Sequence, residues 1–408
     1  MIYFCEECGE KYKLPFDKKQ GNIDNFKCSI CKQRVRLLNL TVGNETSEEN
    51  VLLDGVNKKS MPDKRIYKLL IVDDSKFIRR VIRNIFDASD NIEVAGEAEN
   101  GAEALEMIAG LNPDVVTLDI NMPVMDGLTT LKHVMIGNPT PAVMLSTLTH
   151  EGARKTFDAL KYGAVDFIKK PSRFIDIDLE KQQQNIIKKV ILAAEVEIET
   201  VRYLRSISKN KYPKKDKKIR CDYIFAIGAA EGGYGALLKI IPYLKPDLPA
   251  AFLVVLYAAP QHVDAFVRYL ADYSYLRVKR AKDREPIEGG VCYFASGEEY
   301  LTLYSLNSIY FLRVASSPFP DRRGSINMLM FSIAETFREH AAGAILSGSS
   351  NDGVEGLSEI LRNGGSAIVQ DPKSCLCKES AKIAIDRCMI DTVVSDSKMA
   401  AEINNFFV

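Results

Sequence analysis

The run Asp114-Val115-Val116-Thr117-Leu118-Asp119, followed at once by Ile120-Asn121-Met122-Pro123-Val124-Met125-Asp126-Gly127, constrains the fold more than any other stretch of the chain. Continuous apolar residues that stop at one carboxylate and a Pro/Gly turn read as a buried parallel strand with Asp119 at its carboxyl end. Open α/β sheets place their chemistry at such ends. Lys68-Leu69-Leu70-Ile71-Val72-Asp73-Asp74-Ser75 repeats the design and stops at paired acids. Three carboxylates gathered at two strand ends repel one another unless a cation joins them, and an all-oxygen set of this kind suits Mg²⁺. Capping of the next helix by Asp74 or Ser75 is the simpler reading of one acid. It leaves the other two unexplained.

From Lys68 to about Ile168 the pattern gives five strand and helix repeats, with strands near 68 to 72, 92 to 98, 114 to 118, 142 to 146 and 166 to 168. Ser146 closes Val143-Met144-Leu145, and Lys170 follows Phe167-Ile168-Lys169 and precedes Pro171. The ordered set of acid pair, lone Asp, hydroxyl and Lys-Pro resembles the receiver domain of two-component response regulators over residues 66 to 175. The resemblance implies a flavodoxin-like (βα)5 fold and transfer of a phosphoryl group from a histidine kinase to Asp119. It also implies Mg²⁺ held by Asp73, Asp74, Asp119 and the backbone carbonyl of Asn121. A carboxylate is a weak nucleophile, so attack on phosphorus needs a cation to neutralise the phosphoryl oxygens and hold the groups in line. Lys170 is expected to pair with the phosphoryl charge and Ser146 to hydrogen-bond to it. Phe167, three residues before Lys170, matches the family's switch aromatic, with plain core packing as the alternative.

Lys plus Arg number 54 and Asp plus Glu 54, a balance that argues against a general nucleic-acid or acidic-membrane binder. No apolar run approaches membrane-spanning length and no signal-peptide pattern opens the chain, so the expectation is a soluble cytoplasmic protein without membrane insertion. Four of the nine cysteines stand as Cys5-x-x-Cys8 and Cys28-x-x-Cys31 within residues 1 to 42. Two such knuckles bring four thiolates into a tetrahedron that suits a structural Zn²⁺ and gives a small segment the core it lacks. This looks like a zinc ribbon; disulfide pairing and an iron–sulfur cluster are the alternatives. Residues 43 to 65 are polar and read as a linker.

Between 176 and 219 apolar residues recur at helical spacing from Ile186 to Leu204, and a lysine-rich tether follows from Lys209 to Lys218. A second α/β pattern begins near Arg220. Strands are expected over 222 to 227, 251 to 256 and 343 to 346, with a hairpin around Leu306-Asn307. The turn Gly228-Ala229-Ala230-Glu231-Gly232-Gly233-Tyr234-Gly235 lacks a P-loop lysine and does not fit GxGxxG, which weakens a nucleotide reading. A strand, sharp turn and helix is also how several hydrolases present a nucleophile.

A receiver joined to such a domain resembles the chemotaxis methylesterase family over residues 66 to 408. The likeness is carried by Ile227 to Gly235, Pro260 to Leu270, Arg323 to Ala334, Leu346-Ser347-Gly348-Ser349-Ser350-Asn351-Asp352-Gly353 and Ser374-Cys375. It implies a doubly wound α/β domain of residues 220 to 408 that removes methyl esters from receptor glutamates and deamidates receptor glutamines. The implied site is a Ser-His-Asp triad in which the serine attacks, the imidazole takes its proton and the carboxylate fixes the imidazole. Placed on this chain, the nucleophile falls on Ala230, the base on Tyr257, and only Asp352 is kept. Asn327 and Tyr300 stand where the family usually has Asp and commonly has His.

Losing nucleophile and base together typically costs about a million-fold in turnover, roughly 8 kcal/mol of barrier. The leading expectation is therefore a phosphorylation-controlled signalling protein with a catalytically inactive methylesterase-like domain, partnered by a histidine kinase and by chemoreceptors or their adaptors. An active esterase rebuilt from Glu231, Tyr257, His262 and Asp352 is the alternative, although Ser349 and Ser350 lack a base. A zinc-ribbon adapter for RNA polymerase or nucleic acid is a further one.

Overall fold

The computed structural model describes residues 2–4, 11–13, 65–146, 150–170, 179–196, 219–316, 324–388, 390 and 392–407. Cys5, Cys8, Cys28 and Cys31, the 43 to 64 linker and the lysine tether lie outside them. The chain starts with an antiparallel pair, β1 (Ile2–Phe4) and β2 (Lys11–Lys13).

The first α/β unit runs β3 (Tyr67–Val72), α1 (Lys76–Asp87), β4 (Ile92–Ala98), α2 (Gly101–Leu111), β5 (Val115–Asp119), α3 (Gly127–Gly137), β6 (Ala142–Ser146), α4 (His150–Lys161), β7 (Asp166–Lys169) and α5 (Leu179–Ala194). Its sheet is parallel in the order β4-β3-β5-β6-β7. Each expected strand forms within a residue or so of its expected bounds. Side-chain oxygens start the helices: Ser75 accepts from Ile78 N in α1, Asn100 from Glu103 N in α2 and Asp126 from Thr129 N in α3. Of the expected last helix and connector, α5 covers Leu179–Ala194, and residues 197 to 218 lie outside the described ones.

The second unit comprises β8 (Tyr223–Ala229), α6 (Gly233–Ile240), β9 (Ala250–Leu256), α7 (Pro260–Tyr273), β10 (Arg277–Arg280), β11 (Val291–Ser296), the hairpin β12 (Glu299–Leu306) and β13 (Ile309–Ser316), then α8 (Ser325–Phe337) and β14 (Ala341–Ile345). It ends with α9 (Val354–Arg362), β15 (Ser366–Gln370), α10 (Glu379–Arg387), β16 (Thr392–Val394) and α11 (Asp396–Phe406). Seven strands form a parallel sheet in the order β10-β11-β9-β8-β14-β15-β16. Alternation along β8 shows that both faces are covered. Phe225 and Ile227 join Leu237, Phe266 and Met399 on one side, while Ile224 and Ala226 join Leu329, Leu357 and Ala381 on the other. No helix among the described residues is long and apolar enough to cross a membrane.

The two units share one apolar core. Ala153, Phe157 and Leu160 on α4 and Phe167 on β7 belong to the same buried cluster as Tyr234 on α6 and Phe266 and Tyr269 on α7. Phe157 packs its ring within 5.0 Å of Phe266, 5.4 Å of Tyr269 and 5.8 Å of Tyr234, and Phe167 lies 5.3 Å from Tyr234. Polar contacts edge this seam, with Tyr269 Oη donating to Asp158 at 2.7 Å and Arg154 to Tyr273 Oη at 3.1 Å. Inside it, the buried Tyr234 hydroxyl has no hydrogen-bond partner among the described residues. Truncating Phe157 to Ala should cost about 3–5 kcal/mol and, because its ring is shared, uncouple the two units. Scanning calorimetry should then resolve two transitions where the native chain gives one coupled transition; an unchanged profile would refute the shared core.

Candidate functional site

At the carboxyl ends of β3 and β5 the structure gathers Asp73, Asp74 and Asp119, with one oxygen of each within 4.8 Å of the others. Asp73 and Asp119 are buried and Asp74 is exposed, which leaves the cluster open on one side. The turn after β5 is tight enough to demand glycine at 127, where a β-carbon would lie 1.9 Å from the Asp119 carbonyl oxygen. Lys170, just beyond β7, reaches back so that its ammonium stands 2.8 Å from both Asp73 Oδ2 and Asp119 Oδ2. Burial raises the Asp119 carboxyl above the usual range despite the hydrogen bond from Lys170. Burial also pushes the Lys170 ammonium down, but its bonds to Asp119 and Asp73 outweigh that and the net shift is upward.

The neighbours of this pocket were not legible in the sequence. Arg79, buried on α1, donates to the Asp73 carbonyl at 2.8 Å and pairs with Glu99, so it fixes the loop that carries the acid pair. Ser146 Oγ lies 2.7 Å from Thr156 Oγ1 of α4, and Lys155 Nζ donates to the Asn121 side chain at 2.7 Å. Phe167 is buried in the seam and held from behind by α5, where Lys189 donates to its carbonyl at 3.0 Å. Phe167 thus occupies a packed position, the simpler of its two expected readings. Ser75 does cap α1, yet all three acids still converge, so capping and pocket coexist.

Two of the three expected triad positions, Tyr257 and Asp352, come together. Tyr257, at the end of β9, donates its hydroxyl to Asp352 Oδ2. Asp352 further accepts from the backbone N–H groups of Ile326, at 2.9 Å, and Asn327, at 3.0 Å. Gly297 makes room for this, since a β-carbon there would fall 1.6 Å from the Tyr257 ring. Burial and the bond to Asp352 push the Tyr257 phenol far above its ordinary value, so it holds its proton at neutral pH. Asn327 Oδ1 accepts from Gly353 N and Gly356 N, which ties α8 to the turn bearing Asp352. Ala230 offers only a methyl group. His262 joins neither Tyr257 nor Asp352 by a hydrogen bond; burial, then the cations Lys169 and Lys189, hold its imidazole below the usual range. Tyr300 lies half-buried on β12.

An acid pocket at the end of a (βα)5 sheet, packed on a doubly wound domain with a triad-like turn, defines a response regulator with an enzyme-fold output domain. The family model "Response regulator receiver domain" matches residues 69–180, and "CheB methylesterase" matches residues 225–403. The chain is 37% identical over 351 residues to the protein-glutamate methylesterase/protein-glutamine glutaminase of Pyrococcus horikoshii, covering 82% of this chain and 92% of that one. Its counterpart from Halalkalibacterium halodurans is 35% identical over 328 residues, covering 80% and 94%. Among solved structures, the catalytic domain of Thermotoga maritima CheB methylesterase matches with a TM-score of 0.44 and 27% identity, over 45% of this chain and 98% of that one. The chain belongs to the CheB methylesterase family of response regulators.

Lys170 is the only described cation bonded to both Asp73 and Asp119, so Lys170→Met should leave two buried carboxylates facing each other. The expected loss is about 3–5 kcal/mol in urea denaturation, part of it recovered by adding Asp119→Asn. No recovery in the double variant would mean that like-charge repulsion is not the cause.

Proposed function

We propose that this chain is a phosphorylation-controlled regulator whose methylesterase-like domain acts by binding and not by hydrolysis. The observation that carries the reading is the state of the triad positions. Ala230 has no reacting atom, and the acceptor oxygens of Asp352 are engaged by a tyrosine and two backbone amides. A phenol that keeps its proton cannot take one from a nucleophile. The methylesterase relatives from Pyrococcus horikoshii and Halalkalibacterium halodurans favour an active methylesterase as the second reading.

In the receiver, Asp119 is the proposed phosphoacceptor, with a histidine kinase as donor. The clustered carboxylates of Asp73, Asp74 and Asp119 fit a hard divalent cation, and Mg²⁺ with the Asn121 carbonyl as a further ligand would supply charge neutralisation at the phosphoryl oxygens. Lys170 already touches the Asp119 carboxylate and would move onto the phosphoryl group, while Ser146 would leave Thr156 to meet it. Either movement disturbs the ends of β6 and β7, where Phe167 lies against Tyr234. The proposed output is a binding surface exposed as the seam loosens, for chemoreceptors or their adaptors in the cytoplasm.

Methanol release from methylated chemoreceptor membranes, with Mg²⁺ and a small phosphodonor, tests the catalytic half of this reading. No release is expected, and release by the native chain would establish the active alternative. For the switch half, Asp119→Asn should abolish phosphodonor-dependent binding to those membranes in a pull-down. Equal binding by native and variant chains would count against it.

Cys5, Cys8, Cys28 and Cys31 are proposed to hold one structural Zn²⁺. Elemental analysis of the purified chain should find about one zinc per molecule, lost in Cys28→Ser/Cys31→Ser. Undiminished metal in that variant would remove the ribbon.

A further inference from the structure

We propose that Glu231 is an internal, product-like ligand that closes the methylesterase-like site, so that this site is occupied as well as disarmed. The inference rests on the binding reading proposed above for residues 225–403. Glu231 is the residue after Ala230, in the turn between β8 and α6. Its carboxylate folds onto the neighbouring turn between β14 and α9, where Oε1 accepts from Ser349 Oγ at 2.7 Å and Oε2 from Ser349 N at 3.1 Å. Both carboxylate oxygens are thus engaged by one residue, three positions before Asp352.

The main chain of Glu231 is fixed as well. Ser347 Oγ donates to its carbonyl at 2.5 Å and in turn accepts from Cys377 N at 2.9 Å. The same wall meets Ala230. A β-carbon on Gly348 would stand 3.0 Å from the Ala230 methyl group, and Ala230 N donates to the Ser347 carbonyl at 3.0 Å. A hydroxyl placed on residue 230 would therefore share its surroundings with the Glu231 clasp.

Hydrolysis of a glutamyl methyl ester leaves a glutamate carboxylate, which is the group that Glu231 already presents to Ser349. A fixed negative charge next to the attack position also opposes the oxyanion that acyl transfer must form. The clasp shuts out substrate by occupancy and disfavours the transition state by charge. Restoring serine and histidine at 230 and 257 is then insufficient.

The test uses the full chain and a small fluorophosphonate, whose labelling is followed by intact mass. In that reaction the introduced hydroxyl bonds to phosphorus, fluoride leaves, and the hydroxyl proton passes to the introduced imidazole. Ala230→Ser/Tyr257→His should label slowly or not at all, and adding Glu231→Thr should speed labelling at least about tenfold. Equal rates in the two variants, whether both measurable or both undetectable, would overturn the proposal. As a check that needs no engineered triad, Glu231→Ala alone should accelerate hydrogen exchange of the Ser349 amide by about tenfold, in keeping with loss of one charge-assisted hydrogen bond. Unchanged exchange would show that Glu231 does not hold this turn. Methanol release by the native chain would overturn closure together with the binding reading of the preceding section, whereas equal labelling rates would overturn closure alone.

Discussion

Two buried carboxylates side by side are tolerable only with a positive charge between them, and in this chain Lys170 supplies it. That requirement fixes where β7 must end, because the ammonium has to reach Asp73 and Asp119 together. The end of β7 in turn sets Phe167 against Tyr234, and α4 sets Phe157 between the two units. An electrostatic problem at the carboxyl ends of two interior strands is thus solved by an element that also belongs to the hydrophobic seam. Any ligand that draws Lys170 away from its carboxylates acts on both.

The second unit shows how a fold accommodates different residues at the positions its family uses. Its parallel sheet is packed on both faces and needs no reacting atom for stability. Where Ala230 and Tyr257 stand at the positions expected for serine and histidine, buried polar groups still have to be satisfied. Tyr257 gives Asp352 a donor, Asn327 bridges two amides of the adjacent turn, and Glu231 engages Ser349. The result is a network whose members answer one another.

Much of this was readable from residues alone. Runs such as Val115 to Asp119 and Ala251 to Leu256 are strands by length, apolarity and their abrupt ends. The acid pocket was readable because its residues sit at those ends. Other elements carried no such signal. The edge strand β10 reads Arg-Val-Lys-Arg, and its charges are explained only by partners distant in sequence, with Arg280 pairing to Asp264 and Glu299. Strand β16 has three residues, too few for a period to show. The bond between Tyr257 and Asp352 spans 95 residues, and that between Glu231 and Ser349 spans 118, so no local pattern encodes either. Residue identity named the altered positions, and only tertiary structure shows what the new residues do there.

Tyr234 lies at the meeting point of these two stories, in the first turn of the helix that follows Ala230 and Glu231 and ring-to-ring with Phe167. Its hydroxyl, buried without a partner among the described residues, would be hydrated whenever the seam opened. A phenylalanine would fill the same space without that handicap, which is worth about 1–3 kcal/mol against the docked arrangement. The tyrosine therefore works as a counterweight, shifting the balance between docked and undocked arrangements by roughly one to two orders of magnitude relative to phenylalanine.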